Sequence, residues 1–216
     1  YWTGPNGFSS NLEDPTVAAA TAANAGTYNV YVTVNNCTSA VASVNVTVNP
    51  IPAAPILAAN FAVCAGDVIN LTSNTIAGAT YVWSGPNGFT SNLEDPSIAG
   101  ATAANSGTYS AYVVVLGCTS AVSNVNVTVN SIPAAPVVPA AFAVCAGDNI
   151  SLSANTIAGA TYYWTGPNGF SSNLEDPTVA SATAANAGTY NVYVTVNNCT
   201  SAVASVNVTV NPIPAA

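Results

Sequence analysis

The sequence predicts an all-β protein made of small antiparallel β-sandwiches in a linear array. Three observations predict it. One unit recurs at a fixed interval: Trp2, Trp83 and Trp164 are evenly spaced, and Cys37, Cys118 and Cys199 keep the same interval, as do Cys64 and Cys145. Inside the unit, short runs alternate apolar with polar residues and are separated by Gly-, Pro- and Asn-rich turns, the period-two pattern of half-buried strands. The composition is rich in Val, Thr, Asn, Gly, Pro and Tyr and poor in Leu and Glu, which favours strands and turns over helices.

The repeat has two levels. Residues 1–50 match 163–212 with one change, Ala19 against Ser181, while the middle copy diverges further. A larger period, running from Tyr1 to its match Tyr163, therefore holds two alternating repeat types. Each Trp opens Trp-(Thr/Ser)-Gly-Pro-Asn-Gly-Phe, and Asn-Leu-Glu-Asp-Pro follows. Copies this close imply duplication within an array. The expected division is a partial repeat over 1–50, full repeats over 51–131 and 132–212, and a linker to a next repeat over 213–216.

The elements of the middle repeat can be placed in order. Pro52, Pro55 and the Ala-rich stretch between them form an extended linker into an edge strand. Ala65-Gly66-Asp67 is a turn. Val68 to Ser73 alternates, with Ile69 and Leu71 on one face and Asn70 and Thr72 on the other. Residues 74–80 are a loop before the strand Tyr81-Val82-Trp83. Gly85-Pro86-Asn87-Gly88 is a turn, Phe89 to Asn92 returns, and Leu93-Glu94-Asp95-Pro96 makes a corner. Ser97 to Thr102 is a short strand. Asn105-Ser106-Gly107-Thr108-Tyr109 leads a strand to Val115, and Leu116-Gly117-Cys118 turns into the last strand, with Val122, Val125, Val127 and Val129 along it. About seven short strands bounded by turns read as a sandwich.

These residues resemble immunoglobulin-like domains. Asn-Ser-Gly-Thr-Tyr is similar to the start of the sixth strand, where a tyrosine corner sits, and Trp83 matches the core Trp of the third. The resemblance implies a core holding Trp2, Trp83 and Trp164 with Tyr28, Tyr109 and Tyr190. The usual inter-sheet cysteine positions fall near Leu71 and Ala111, so the cysteines here are displaced to strand ends. Taken together, Val-Cys-Ala-Gly-Asp, Trp-Ser-Gly-Pro-Asn-Gly-Phe and Gly-Cys-Thr-Ser resemble the repeats of giant cell-surface proteins and gliding-type adhesins of Bacteroidetes. That resemblance implies an extracellular or cell-surface location.

On that topology the cysteines fall at opposite poles. The five of them suit an oxidising compartment. Cys64 would lie at the bottom of its repeat and Cys118 at the top, separated by a strand of roughly 23 Å, whereas a disulfide needs Cα atoms within about 7 Å. Two pairings remain open. One is a Cys64–Cys199 bond across a junction, with Cys37, Cys118 and Cys145 pairing with repeats elsewhere. The other is Cys64–Cys118 with Cys145–Cys199, and beside both stands the alternative of free thiols. The acids follow the same pattern: Glu13-Asp14, Glu94-Asp95 and Glu175-Asp176 on the upper corners, Asp67 and Asp148 on the lower turns. A junction gathering Asp67, Glu175 and Asp176 would offer hard oxygen ligands suited to calcium. The plainer account is that solvated carboxylates keep the chain soluble.

The missing side chains narrow function. The chain has no Lys, Arg, His or Met, and its formal net charge is −8. Without His, the usual general base is absent; without Lys or Arg, phosphate clamps and Schiff bases are absent. Nucleic-acid binding and anionic membrane surfaces are disfavoured for lack of cations, and no run of about 18 apolar residues suggests insertion into a membrane. The Glu-Asp pairs do not read as a glycosidase, because they are adjacent, lie on a turn and recur in register, whereas that chemistry needs a concave pocket. No enzyme is expected.

Seven Asn-x-Ser/Thr sequons, at Asn36, Asn45, Asn70, Asn126, Asn149, Asn198 and Asn207, are candidate glycan acceptors, although Asn and Thr also suit solvent-facing strand positions. Outward Tyr31, Tyr112 and Tyr193 could meet surface glycans or pack against neighbouring fibres. The expected function is a structural stalk or filament whose partners are its own repeats or copies of itself; the alternative is an array of carbohydrate- or ice-binding modules. Residues 1–50 lack the first two strands, which would leave an open edge and half a core. The simplest expectation is a segment of a longer fibre, then strand donation by a neighbouring chain, then a partly disordered fragment. Starting at Tyr1 without Met, the chain is expected to be a mature fragment or such a segment.

Overall fold

The computed structural model describes residues 1–214, so the last two residues of the expected 213–216 linker lie outside the described residues. Among the described residues there is no α-helix; short strands are joined by turns and one-turn 3₁₀ helices. The chain forms two compact units, 1–58 with 71–96 and 109–125, and 59–70 with 97–108 and 126–216.

The third repeat lies within the second unit. Its larger sheet follows the order Phe142–Cys145, Ala204–Asn211, Gly188–Val196, Thr161–Thr165, Ser171–Ser172. The facing layer is short, Ile150–Ser151 against Thr178–Val179, and is extended by Leu152 N–H donating to the Pro177 carbonyl and Ala182 N–H to that of Asp148. Alternation puts Tyr190, Val192 and Val194 on the inner face of one strand and Val206 and Val208 on that of its neighbour, where they meet Ile150, Leu152, Tyr162 and Trp164.

The pairing departs from a purely antiparallel expectation at one edge. Phe142–Cys145 runs parallel to the last strand, with Phe142 opposite Val208 and Cys145 opposite Asn211. The chain therefore leaves this edge beside the far end of the last strand. Phe61–Cys64 repeats the register, with Phe61 opposite Val127 and Cys64 opposite Asn130.

The Gly-Pro-Asn-Gly-Phe turn does more than reverse the chain. Its middle residues take positive φ, 55° at Asn168 and 71° at Gly169. A Cβ on Gly166 would stand 2.3 Å from the Tyr190 ring, so glycine is needed there for close approach. Phe170 covers the same ring edge-on, with centroids 5.4 Å apart. The Tyr190 hydroxyl donates to the Asn186 carbonyl at 2.8 Å, and Tyr28 does the same to Asn24. This is the tyrosine-corner bond the sequence implied. Trp83 and Trp164 are fully buried, and so are Leu71 and Ala111, the positions where inter-sheet cysteines would be sought.

The strand expected over Val68 to Ser73 is shorter. Only Ile69–Asn70 pairs as a strand, with Ser97–Ile98. Beyond it, the Leu71 N–H goes to the Pro96 carbonyl and the Ser73 N–H to the Asp95 carboxylate at 2.8 Å, so a side chain replaces the ladder. The first repeat keeps the same local order, Ser9–Ser10, Trp2–Thr3, Gly26–Val30, Ala42–Val46, with its inner face partly open.

Candidate functional site

The feature that reaches furthest along the chain is built around a two-residue hairpin. Asn197 and Asn198 have φ of 49° and 64°, as a type I′ turn requires of both central residues, and asparagine tolerates that region well. The turn closes Val196 opposite Cys199. It presents the Asn197 carbonyl and the Cys199 side chain at one pole of the third repeat.

The opposing surface comes from the preceding repeat. Cys64 ends its edge strand opposite Asn130. A turn fixes it: Asp67 Oδ2 accepts the Cys64 N–H at 3.0 Å, and Ala65 N–H donates to the Asn130 carbonyl at 2.8 Å. Asn130 Nδ2 then donates to the Asn197 carbonyl at 3.3 Å. Beside that bond Cys64 and Cys199 are joined, with an S–S distance of 2.01 Å and Cα atoms 5.6 Å apart. The linked residues are 135 positions apart in sequence. In the chain-entropy account, closing a loop of that length is worth about 5 kcal/mol.

The alternative pairing of Cys64 with Cys118 and Cys145 with Cys199 does not occur, since Cys118 and Cys145 are free thiols, as is Cys37. The reason is strand length. Cys145 lies opposite Asn211, the far end of the eight-residue strand Ala204–Asn211, whereas Cys199 sits in the hairpin before that strand begins. Eight residues span about 26 Å, well beyond disulfide reach.

The grouping of Asp67, Glu175 and Asp176 around calcium is likewise not formed. Asp67 holds the Cys64 turn, Asp176 Oδ1 accepts the Ala154 N–H at 3.0 Å, and Glu175 accepts from the Thr156 hydroxyl. Among the described residues no three His, Cys, Asp or Glu side chains stand where they could hold a metal ion. These carboxylates anchor local turns, a role their exposed-corner position in sequence concealed. All seven sequon asparagines are solvent-exposed. Of the outward tyrosines, Tyr193 stacks on its cross-strand partner Tyr163 at 5.0 Å and 14°. Tyr31 lies 5.7 Å from Tyr1, tilted by 51°, and Tyr112 faces Val82.

An equivalent contact recurs one period earlier. Asn49 Nδ2 donates to the Leu116 carbonyl at 3.1 Å, and the Cys118 thiol lies 3.6 Å from the Asn49 carbonyl oxygen. Asn49, Leu116 and Cys118 correspond to Asn130, Asn197 and Cys199 under the same shift that carries Trp83 onto Trp164. Sequence reasoning named the cysteines but missed these asparagines, whose only signal was their constant offset from the hairpin.

Comparison with known proteins agrees with this architecture. Residues 133–212 match the profile of a family described as "Ig-like domain CHU_C associated". Among solved structures, a three-Ig structure of titin domains I67–I69 (an E-to-A mutated variant) is 12% identical, covers 97% of this chain and 87% of that one, and has a TM-score of 0.50. Titin domains A168–A170 are 14% identical, with 91% and 78% covered and a TM-score of 0.50. At such identities the likeness is one of fold. No curated protein matches the sequence. The chain is all-β, with tandem immunoglobulin-like domains.

Proposed function

We propose that this chain is a structural segment of an extracellular fibre or adhesin stalk, made of immunoglobulin-like repeats over 51–131 and 132–212 and a partial one over 1–50, of the kind found in Bacteroidetes giant cell-surface proteins. The observation that carries the reading is the Cys64–Cys199 bond with its Asn130–Asn197 companion, which fastens one repeat to the next beyond the peptide linker. A protein whose work is to bear load gains from such a fastening, since adjacent repeats are otherwise joined only by the peptide linker and non-covalent contacts. Five cysteines and one formed disulfide suit an oxidising, extracellular setting. No helix of the described residues is long and apolar enough to cross a membrane. With no Lys, Arg or His, the chain is poorly equipped for acid-base catalysis or for binding nucleic acid. The partners in this reading are neighbouring repeats, and the exposed sequons are sites where a host with the machinery would add glycan.

Electron microscopy of native surface material tests it: elongated fibres that survive detergent without reductant support the reading, and compact isolated particles contradict it. The stacked Tyr163–Tyr193 pair favours a second reading, a carbohydrate-binding array, because paired rings can carry a sugar face. Saturable glycan binding abolished by Tyr193→Ala would support that reading against the first.

A further inference from the structure

Tyr163 and Tyr193 face each other across the larger sheet of the third repeat. Tyr163 lies on Thr161–Thr165 and Tyr193 on Gly188–Val196, and the two are register partners. Their chain neighbours Tyr162, Trp164, Val192 and Val194 belong to the core, so period-two alternation sends this pair to the outer face. Both rings are half-buried there. Their centroids are 5.0 Å apart and their planes 14° from parallel. Near-parallel rings at that separation are offset rather than eclipsed, which brings ring edges together. The other ring pairs of the described residues are tilted or edge-on.

The rest of the chain sets this pair apart chemically. The sequence has ten Tyr but neither Met nor His, so tyrosine carries much of its capacity for oxidation. Trp83 and Trp164 are buried, and so are Tyr81, Tyr109, Tyr162 and Tyr190. The hydroxyls of Tyr81, Tyr162 and Tyr190 donate to backbone carbonyls. The middle repeat does not reproduce the outer pair: its equivalent register partners are Val82 and Tyr112.

We propose that Tyr163 and Tyr193 are a site of dityrosine formation, a covalent staple between two neighbouring strands of the third repeat. The oxidant is hydrogen peroxide acting through a haem peroxidase. It removes one electron from each phenol, and each phenolic proton passes to water. The two phenoxyl radicals carry unpaired spin on the ring carbons beside the oxygen. A Cε–Cε bond forms, and the hydrogen on each joined carbon moves through water to its own phenol oxygen, restoring both aromatic rings. The chain loses two hydrogens, and one peroxide becomes two waters. Coupling within the pair outruns coupling between chains, because the sheet already holds the rings together. Joined rings have slightly closer centroids than the stacked pair, and side-chain rotation on the outer face supplies the difference. The staple rests on the ring pair alone and does not depend on the stalk reading; in a stalk it would keep these two strands from parting under load.

The test uses the whole chain with its free thiols alkylated first, because exposed thiols compete for oxidant. Peroxidase and limiting hydrogen peroxide are added to dilute protein, and the Cys64–Cys199 bond is then reduced. A protease that cuts before aspartate leaves Tyr163 on 148–175 and Tyr193 on 176–216. These two peptides should remain joined and weigh two hydrogens less than their sum, with the intrachain link favoured about a hundredfold over dityrosine between chains. Peptide mapping decides this rather than total dityrosine fluorescence, since Tyr1 and Tyr31 also lie 5.7 Å apart. Tyr193→Phe keeps the ring and removes the phenol, so it should abolish the link and leave the melting temperature unchanged. Val82→Tyr should create a second link, to Tyr112, joining 67–94 to 95–147. Peptides 148–175 and 176–216 that separate on reduction while chains couple to one another would overturn the proposal. So would a link that persists in Tyr193→Phe, or a Val82→Tyr chain that gains no second link.

Discussion

Residues 1–50 and 163–212 differ at one position in sequence, and their interiors differ greatly. Local structure is the same in both. The Gly-Pro-Asn-Gly turn has φ of 55° at Asn6 and at Asn168, and both tyrosines close the same hydrogen bond. What differs is burial. Trp164 is fully buried and Trp2 only partly, and the strand Gly188–Val196 is continuous where its counterpart breaks into Gly26–Val30 and Thr33–Val34. Turns and caps are therefore written in the short motifs, whereas the core is completed by the Phe142–Leu152 segment contributed from outside the matching stretch.

The largest break in this comparison should come from the cysteines. Cys199→Ser removes the link to Cys64 and should lower the stability of the second unit by about 5 kcal/mol, read as a shift in denaturant midpoint. Cys37→Ser, at the equivalent exposed position, should stay within about 0.5 kcal/mol. Next is the glycine under the tyrosine ring. Gly166→Ala forces a Cβ to 2.3 Å from Tyr190, which is packed on all sides, and should cost about 3 kcal/mol. Gly4→Ala makes a similar clash with Tyr28, but that ring borders the open inner face of its repeat and can shift, so the cost should be visibly smaller. The core valines sharpen the point: Val206→Ala should cost about 2 kcal/mol and Val44→Ala about 0.5 kcal/mol or less, measured by thermal unfolding.

A pH effect belongs to the buried copies. Burial raises the Tyr190 phenol above its ordinary value of 10.0, and Tyr109 likewise. A phenol raised in the folded state gives stability that is intact below the unfolded value and is lost as pH climbs through the folded one. Unfolding of the third repeat should therefore become easier above about pH 10, and Tyr190→Phe should flatten that dependence. The smallest effect concerns the hairpins. Leu116 holds φ of 50° where the other copies have asparagine at 48° and 49°, so Leu116→Asn should stabilise the middle repeat by about 1 kcal/mol.

Much of the fold was legible because periodicity and turn chemistry are local. The alternation of Ile69 with Leu71, the Gly-Pro-Asn-Gly turns and the Asn-Ser-Gly-Thr-Tyr corner each carry their own signal. The parallel edge was not legible, because Phe61-Ala62-Val63-Cys64 reads the same whichever way its partner runs. Nor was the carboxylate role: Asp95 and Asp176 stand on exposed corners in sequence, and only the fold brings them to the N–H groups of Ser73 and Ala154. Their distance from Asp67 likewise depends on three-dimensional placement, which is why a calcium cluster could be imagined from charge alone. The junction was half legible. Strand length separated the cysteines into poles, whereas the Asn130–Asn197 contact had no local signature.

The central claim is that repeats are fastened to one another by Cys64–Cys199. It is tested most directly by digestion without reductant, using a protease that cuts before aspartate. Cleavage at Asp14, Asp67, Asp95, Asp148 and Asp176 leaves Cys37 and Cys64 on 14–66, Cys118 and Cys145 on 95–147, and Cys199 on 176–216. After blocking free thiols by alkylation, the account predicts that 14–66 is recovered with Cys37 alkylated and Cys64 linked to Cys199 of 176–216, and that the two peptides separate on reduction. Recovery of 14–66 linked to 95–147 would contradict it.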